Sequence, residues 1–478
     1  MHKDLELSGD QMRQLVAAAM DRIVAHVEAL PRMPAADTDG GVELARSLAE
    51  PLPDHGEPYE KLLALLFDKV VPKSFNTAGP GYLAYIPGGG LFHSAVADLI
   101  ADSVNRYVGV FQAAPGLAQI EANVVRWFCG IVGYPAGSGG FLTTGGSLAN
   151  LIALITARSE RLPESFLSGA IYASEQTHHS VQKAAMLAGF PARNVRAVAC
   201  DRNYRVDVEA MRGMIARDRK TGLTPFLIAG NAGTTNTGAV DDLRSLAALA
   251  HREAMWFHVD AAYGGFFLLT DRGREAMAGV ELADSITLDP HKGLFLPYGT
   301  GSLLVKDAAT LRRTHSLHAH YLPSMQSDDD LVDFCEISPE LSRDFRGLRV
   351  WLPIKMHGAD AFRKSLDEKL DLAQWAASEL SRIPGIEILA GPQLSLMAFR
   401  LAPPEAPIGS LNGLNKRLLD RINARRRVYL TGTMLGDTFA LRICVLSFRT
   451  HMDRMREGLE DIRDAVAELG ASHFNGED

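Results

Sequence analysis

The chain has 478 residues, 47% of them hydrophobic and 22% charged, with a formal net charge of -8. That length is enough to bury a large core in two or three domains, and the acidic balance leaves no electrostatic footprint for nucleic acid or an anionic membrane. Cys129, Cys200, Cys335 and Cys444 lie far apart without a CxxC pair, which excludes a dense disulfide framework and fits a reducing cytoplasm. The opening MHKDLELSGDQ is too polar for a signal peptide, and no apolar run reaches the roughly 18 residues of a membrane span. A small molecule is the expected partner.

From the N-terminus, SGDQMRQLVAAAMDRIVAHVEAL predicts an amphipathic helix from Ser8 to about Leu30, with Ser8 and Asp10 as cap candidates and Pro31 as its stop. A Pro- and Gly-spaced connector leads to a second helix, YEKLLALLFDKVVPKSF. Neither apolar face has a partner in its own segment, so residues 1–85 are expected to form a helical arm packed on a second copy, making a homodimer.

From about residue 110 to residue 310, helices (APGLAQIEANVVRWFCGIVGY, SLANLIALITARSERL, HHSVQKAAMLAG) alternate with apolar strands: GAIYAS, VRAVAC, PFLIAGNAG, WFHVDAAY, SITLDP and GSLLVKD. The pattern implies an α/β fold with a mostly parallel sheet buried on both faces, assigned to residues 86–355. Past Trp351, the helix EKLDLAQWAASELSRI and the strands IEILA, LSLMAFRL, VYLTGTML and FALRICVLS predict a smaller α+β domain over residues 356–478.

LDPHKGLFLPYGTG places Lys292 at the carboxyl edge of the sheet among apolar groups. Desolvation there is expected to lower its ammonium pKa and fit it for a Schiff base. FLTTGGSLANL begins a helix at a glycine turn, so the amides of Gly145, Gly146 and Ser147 are expected to face outward and bind phosphate. The competing reading makes Ser147 a plain N-cap. The stretch lacks the last glycine of GxSxG and a Walker lysine.

HVDAAYGG ends a buried strand on Asp260, whose carboxylate needs a cationic partner such as a protonated pyridine nitrogen. His258 and Asp260 share a strand face, but a third metal ligand is missing, so no metal is expected. His178 in YASEQTHHS can lie flat on an aromatic ring, and NAGTTNTG offers Thr235 at the next strand end. A phosphate cradle, an acid for a ring nitrogen, a stacking imidazole and a Schiff-base lysine are the parts that pyridoxal phosphate requires.

On these motifs the chain resembles the group II pyridoxal-phosphate-dependent amino acid decarboxylases, in pattern most like the aromatic-L-amino-acid decarboxylases, from about residue 60 to residue 360 and more faintly to the end. The resemblance implies the fold type I, aspartate aminotransferase-like architecture and a homodimer with the active site at its interface. It further implies that Lys292 carries the cofactor and Asp260 pairs with its ring nitrogen, while His178 stacks on one ring face and Ala262 on the other. His291, Gly146 and Ser147 would hold the phosphate, and Thr235 falls at the family's active-site threonine. Tyr321 in AHYLPS matches the loop tyrosine that protonates the substrate's α-carbon, and a phenylalanine there would favour an aldehyde synthase. GYLAYIPGGG places Tyr85, Ile86 and Pro87 near the substrate, with Val110 or Phe111 from the second subunit.

The pattern has departures. Asp289 stands where animal aromatic decarboxylases have asparagine near the phosphate, so it is expected to face away. Leu148 and Gly88 replace an acidic residue and a threonine or serine. Ser342, before the arginine of SRDFRGL, tilts the substrate toward tyrosine, phenylalanine or dihydroxyphenylalanine. Alternatives are an aldehyde synthase, a decarboxylase of acidic or aliphatic amino acids, and a non-catalytic protein that kept the fold.

Overall fold

A computed structural model describes residues 5–317, 328 and 331–474. The first helix, Gly9–Ala29, opens at a reciprocal cap: Ser8 Oγ accepts from the Gln11 amide at 3.2 Å and Gln11 Oε1 from the Ser8 amide at 2.8 Å. Asp10, the other cap candidate, pairs with Arg13. No side chain of this helix is buried. The connector holds a short helix, Gly41–Ser47, and the second predicted helix starts as Tyr59–Ala64 and continues as a π-helix over Leu65–Val70.

Seven strands form the main sheet: β1 (Gly139–Thr143), β2 (Gly169–Ser174), β3 (Val195–Val198), β4 (Thr224–Asn231), β5 (Trp256–Asp260), β6 (Ser285–Leu288) and β7 (Gly301–Val305), in the order β1-β7-β6-β5-β4-β2-β3. Only β7 runs against its neighbours β1 and β6. β2, β4, β5 and β6 are apolar along most of their length because helices cover both faces. β1 is absent from the strands expected of the sequence, since GGFLT begins with two glycines and has just two large apolar residues. Its pairing with β7 makes it a strand. All strands but β7 therefore end at one edge, where an open α/β sheet presents its binding crevice.

A second sheet, β8 (Ile386–Ala390), β9 (Leu396–Leu401), β10 (Thr431–Leu435) and β11 (Thr438–Cys444), is antiparallel in the order β10-β11-β9-β8. It has its own apolar cluster, with Phe399 and Leu418 fully buried. The chain reaches it through a helical run, Gly347–Leu380, broken at Gly358 (φ 70°). Leu83 belongs to this second cluster: its amide bonds to the Tyr429 carbonyl, and its carbonyl accepts from Cys444. A few residues on, the Leu91 amide bonds to the Phe295 carbonyl beside Lys292. The strip 81–91 thus stitches the small sheet to the large one. Among the described residues no helix is long and apolar enough to cross a membrane.

Candidate active site

A cavity of about 290 Å³ opens at the carboxyl edge of the large sheet. Its wall includes Gly145, Gly146 and Ser147 from the turn after β1, His178 after β2 and Thr235 after β4. Asp260 and Ala262 from the end of β5, and His291 and Lys292 after β6, complete the set that the sequence put forward for the cofactor.

The phosphate end differs in detail from expectation. No side chain caps the helix Gly146–Arg161, so Ser147 is not an N-cap. The Gly145 amide is taken by Thr143 Oγ1 at 3.2 Å, and the amides of Leu148 and Ala149 return to the Gly145 carbonyl. That leaves the first amides of the helix, Gly146 and Ser147, to face an anion. A Cβ on Gly146 would lie 3.0 Å from Asp289 Oδ2 and 3.1 Å from Ala262 Cβ, so the cradle is open only because residue 146 has no side chain. His291 Nδ1 donates to the Thr300 carbonyl at 2.6 Å, which leaves its Nε2 for the cavity side.

Two expectations at Lys292 are overturned. Asp289 does not face away: its Oδ2 is 2.9 Å from Lys292 Nζ. Its Oδ1 is buried without a hydrogen-bond partner, an orphan that a cofactor-binding site explains better than a packed core. Burial does pull the lysine down, as desolvation demands, but the charge and hydrogen bond of Asp289, aided by Asp260, outweigh it and hold Lys292 above its ordinary value.

Asp260 is 7% exposed. Its Oδ1 accepts from the Ala262 amide at 3.1 Å and its Oδ2 from Asn150 Nδ2 at 2.9 Å. His178 Nδ1 lies 2.8 Å from Ser180 Oγ, and burial pushes the imidazole below its ordinary value, with Asp260 pulling the other way. Thr234 turns its hydroxyl to Thr237 and the Ala239 amide, leaving Thr235 to the cavity. Arg442 on β11, 4% exposed, donates to the carbonyls of Thr235 and Asn236 and clamps that loop.

An anion-ready helix start, a carboxylate oriented at both oxygens, a half-buried imidazole and a lysine on one cavity wall fit a pyridoxal phosphate. The conserved domain of pyridoxal-dependent decarboxylases matches residues 42–402. The chain belongs to this family. It is 34% identical to an aromatic-L-amino-acid decarboxylase of Bacillus atrophaeus over 475 residues, 99% of each chain. It is 27% identical to a phenylacetaldehyde synthase of Arabidopsis thaliana over 480 residues, 97% of each chain. Among solved structures, Oryza sativa TDC with PLP and tryptamine superposes with a TM-score of 0.92 at 26% identity, over 97% of this chain and 99% of that one. The protein is a pyridoxal-phosphate-dependent amino acid decarboxylase.

The substrate-side residues are not gathered on the cavity wall of this decarboxylase. Tyr85, Ile86, Pro87, Val110 and Phe111 are all absent from it. Ile86 and Pro87 are buried, and Tyr85 is half exposed. Val110 is fully buried within its own chain, so of the two candidates only Phe111 keeps surface for a second copy. Tyr321, His318 and His320 lie outside the described residues; His315 reaches Thr156 Oγ1 at 3.4 Å. Gly88 is explained by backbone contact: a Cβ there would sit 2.0 Å from the His291 carbonyl oxygen. Ser342 is exposed, and Leu148 lines the cavity.

Asn150, Ser180 and Asn231 also face the cavity and were missed. The one available signal was an amide at position 150 within the apolar run LANLIAL. Asn150 also disposes of the metal reading, because it stands between His258 and Asp260 and bonds to both. Among the described residues no group of three metal-ligating side chains occurs.

His258 gives a pH prediction. Burial pushes its imidazole down to about 4, against an ordinary value of 6.5. The unfolded chain therefore takes up this proton first on acidification. The stability from keeping His258 neutral is complete above about pH 6.5 and lost as pH falls through about 4, by roughly 3 kcal/mol. His315, also pushed to about 4 by burial, adds to the same window. Melting temperatures between pH 7 and pH 4 should fall steeply, and His258→Gln should flatten the slope.

Proposed function

We propose that the decarboxylase acts on an aromatic L-amino acid, of the tyrosine, phenylalanine or dihydroxyphenylalanine kind, and releases the amine with carbon dioxide. The observation that carries this reading is the 34% identity, over 99% of each chain, to the Bacillus aromatic-L-amino-acid decarboxylase. The strip before Gly88, outside the cavity wall, is rich in aromatic rings as well. Tyr82 stacks on Tyr429 (5.9 Å, 12°) and on Tyr85 (6.5 Å, 28°). Tyr85 has φ 49°, a left-handed backbone that costs a bulky residue roughly 1–2 kcal/mol and persists only where the surroundings impose it.

Pyridoxal phosphate, when bound, supplies an aldehyde for amines and a ring that accepts the electron pair left as carbon dioxide departs. Lys292 offers the amine that anchors it and later yields that place to the substrate's amine. Before it is a nucleophile this amine must shed a proton, and the Asp289 pairing sets the basicity against which that happens. Asp260, oriented by the Ala262 amide and Asn150, would pair with the ring nitrogen and hold a proton there. His178 and Ala262 would hold the ring between them, and Gly146, Ser147 and His291 would hold the phosphate. Tyr321 gives the α-carbon the proton that replaces the departing carboxylate. A second reading, the aldehyde synthase, is favoured by the Arabidopsis relative, and the residue at 321 separates the two.

The working unit in this reading is a homodimer. The Gly9–Ala29 helix leaves Met12, Val16 and Val24 each more than 40% exposed, a face that a second copy covers.

Three outcomes check this. Lys292→Ala should abolish the cofactor absorbance and lower turnover by roughly a thousandfold or more, with an unchanged fold by circular dichroism. Across the twenty amino acids plus dihydroxyphenylalanine and 5-hydroxytryptophan, carbon dioxide release should favour aromatic substrates over glutamate by roughly a hundredfold; aldehyde as the main product would make the protein a synthase. Deleting residues 1–50 should leave aggregated or inactive protein by light scattering and assay, and a fully active monomer would refute the dimer.

A further inference from the structure

Asn150 lies in the second turn of the helix Gly146–Arg161, 3% exposed. Its amide makes every hydrogen bond it can: Nδ2 donates to Asp260 Oδ2 and to Ser180 Oγ, both at 2.9 Å. Oδ1 accepts from Thr287 Oγ1 at 2.7 Å and lies 3.0 Å from His258 Nε2. The direction of these bonds is fixed at Asp260, a carboxylate that only accepts, so Nδ2 must face it and Oδ1 turns to His258. His258 therefore carries its proton on Nε2 and gives it to Asn150 Oδ1, while its Nδ1 accepts from Ser285 Oγ at 2.8 Å, which in turn accepts from Trp256 Nε1 at 2.8 Å.

The same orientation turns Nδ2 toward Ser180. Ser180 passes its own proton to His178 Nδ1, toward which its backbone amide also points at 3.3 Å. His178 is left with its proton on Nε2.

We infer that Asn150 is the positioning residue of the cofactor site, a single buried amide that orients the carboxylate of Asp260 and, through the Ser180 hydroxyl, supports the His178 tautomer that the Ser180 amide already favours. The inference rests on the proposed roles of Asp260 and His178 against the cofactor ring. Asp260 has one other donor, the Ala262 amide on Oδ1, so Asn150 alone sets the orientation of Oδ2. Because one group serves both arms, disturbing it should move both.

The test is Asn150→Asp, nearly isosteric, which puts an acceptor where both donors stood. Full-length protein is measured for the pyridoxal phosphate dissociation constant, the absorbance of the bound cofactor, kcat and KM separately, and the melting temperature without cofactor. Losing a hydrogen bond to a charged group and facing it with a second carboxylate should weaken cofactor binding roughly ten- to hundredfold. The value of kcat should fall comparably and KM by less than about threefold. Asn150→Ala, which adds no charge, should move the same readouts in the same direction, and Ser180→Ala, cutting only the His178 arm, should weaken binding less than either. If the Asn150 variants lower only the melting temperature and bind cofactor natively, Asn150 is merely structural and the inference falls. Asp260→Asn in the same assays separates the two levels: native binding and absorbance there would overturn the proposed role of Asp260 itself, whereas a defect there with native Asn150 variants would overturn only the present inference.

Discussion

The arrangement at the carboxyl edge depends on the burial of one carboxylate. Asp260 ends β5 at 7% exposure, where an uncompensated carboxylate is costly. Both of its oxygens are met by donors, one from the turn that follows β5 and one from the helix that follows β1. Supplying those donors draws the β1 helix across the strand ends until its first turn, with the uncapped amides of Gly146 and Ser147, borders the same cavity as Asp260. The distance between a phosphate site and a ring-nitrogen site is thereby built into the packing of a helix on a sheet.

A second constraint is contact between backbones. Gly81 and Gly88 each stand where a Cβ would lie 2.2 Å or less from a carbonyl oxygen, of Arg427 and of His291 respectively. These approaches let one strip of chain lie against the second sheet at one end and the Lys292 turn at the other. Arg442 crosses the same boundary in the opposite direction to clamp the Thr235 loop. The cavity is therefore shaped by both sheets, although every residue on its wall lies between Thr144 and Lys292, in the segment that builds the larger one.

Charge inside the cavity runs against the simplest expectation for a nucleophilic lysine. Lys292 is partly buried, yet Asp289 at 2.9 Å keeps its proton in place. Asp289 in turn has a buried oxygen with no partner. That carboxylate borders the phosphate cradle, with Oδ2 facing Gly146.

Much of the site was legible in the sequence because its parts are local. A glycine turn before a helix, an acid at a strand end and a lysine after proline and histidine each have a signature a few residues long, and parallel strands bring all such ends to one edge by topology alone. The order of the strands was legible for the same reason, except β1, whose two glycines hide a strand that exists through pairing with β7, while the helices Val208–Lys220 and Leu243–Arg252 were not picked out. What the sequence could not determine is whatever depends on how the folded chain turns its groups toward one another, from three residues apart for Asp289 and Lys292 to more than a hundred for Gly88 and Asn150. The direction in which Asp289 faces, the sign of the shift on Lys292, the need for glycine at 88 and the role of Asn150 between Asp260 and His258 were all decided by tertiary contact, because hydrogen bonds, desolvation and steric exclusion act over a few ångströms of space whatever the separation along the chain.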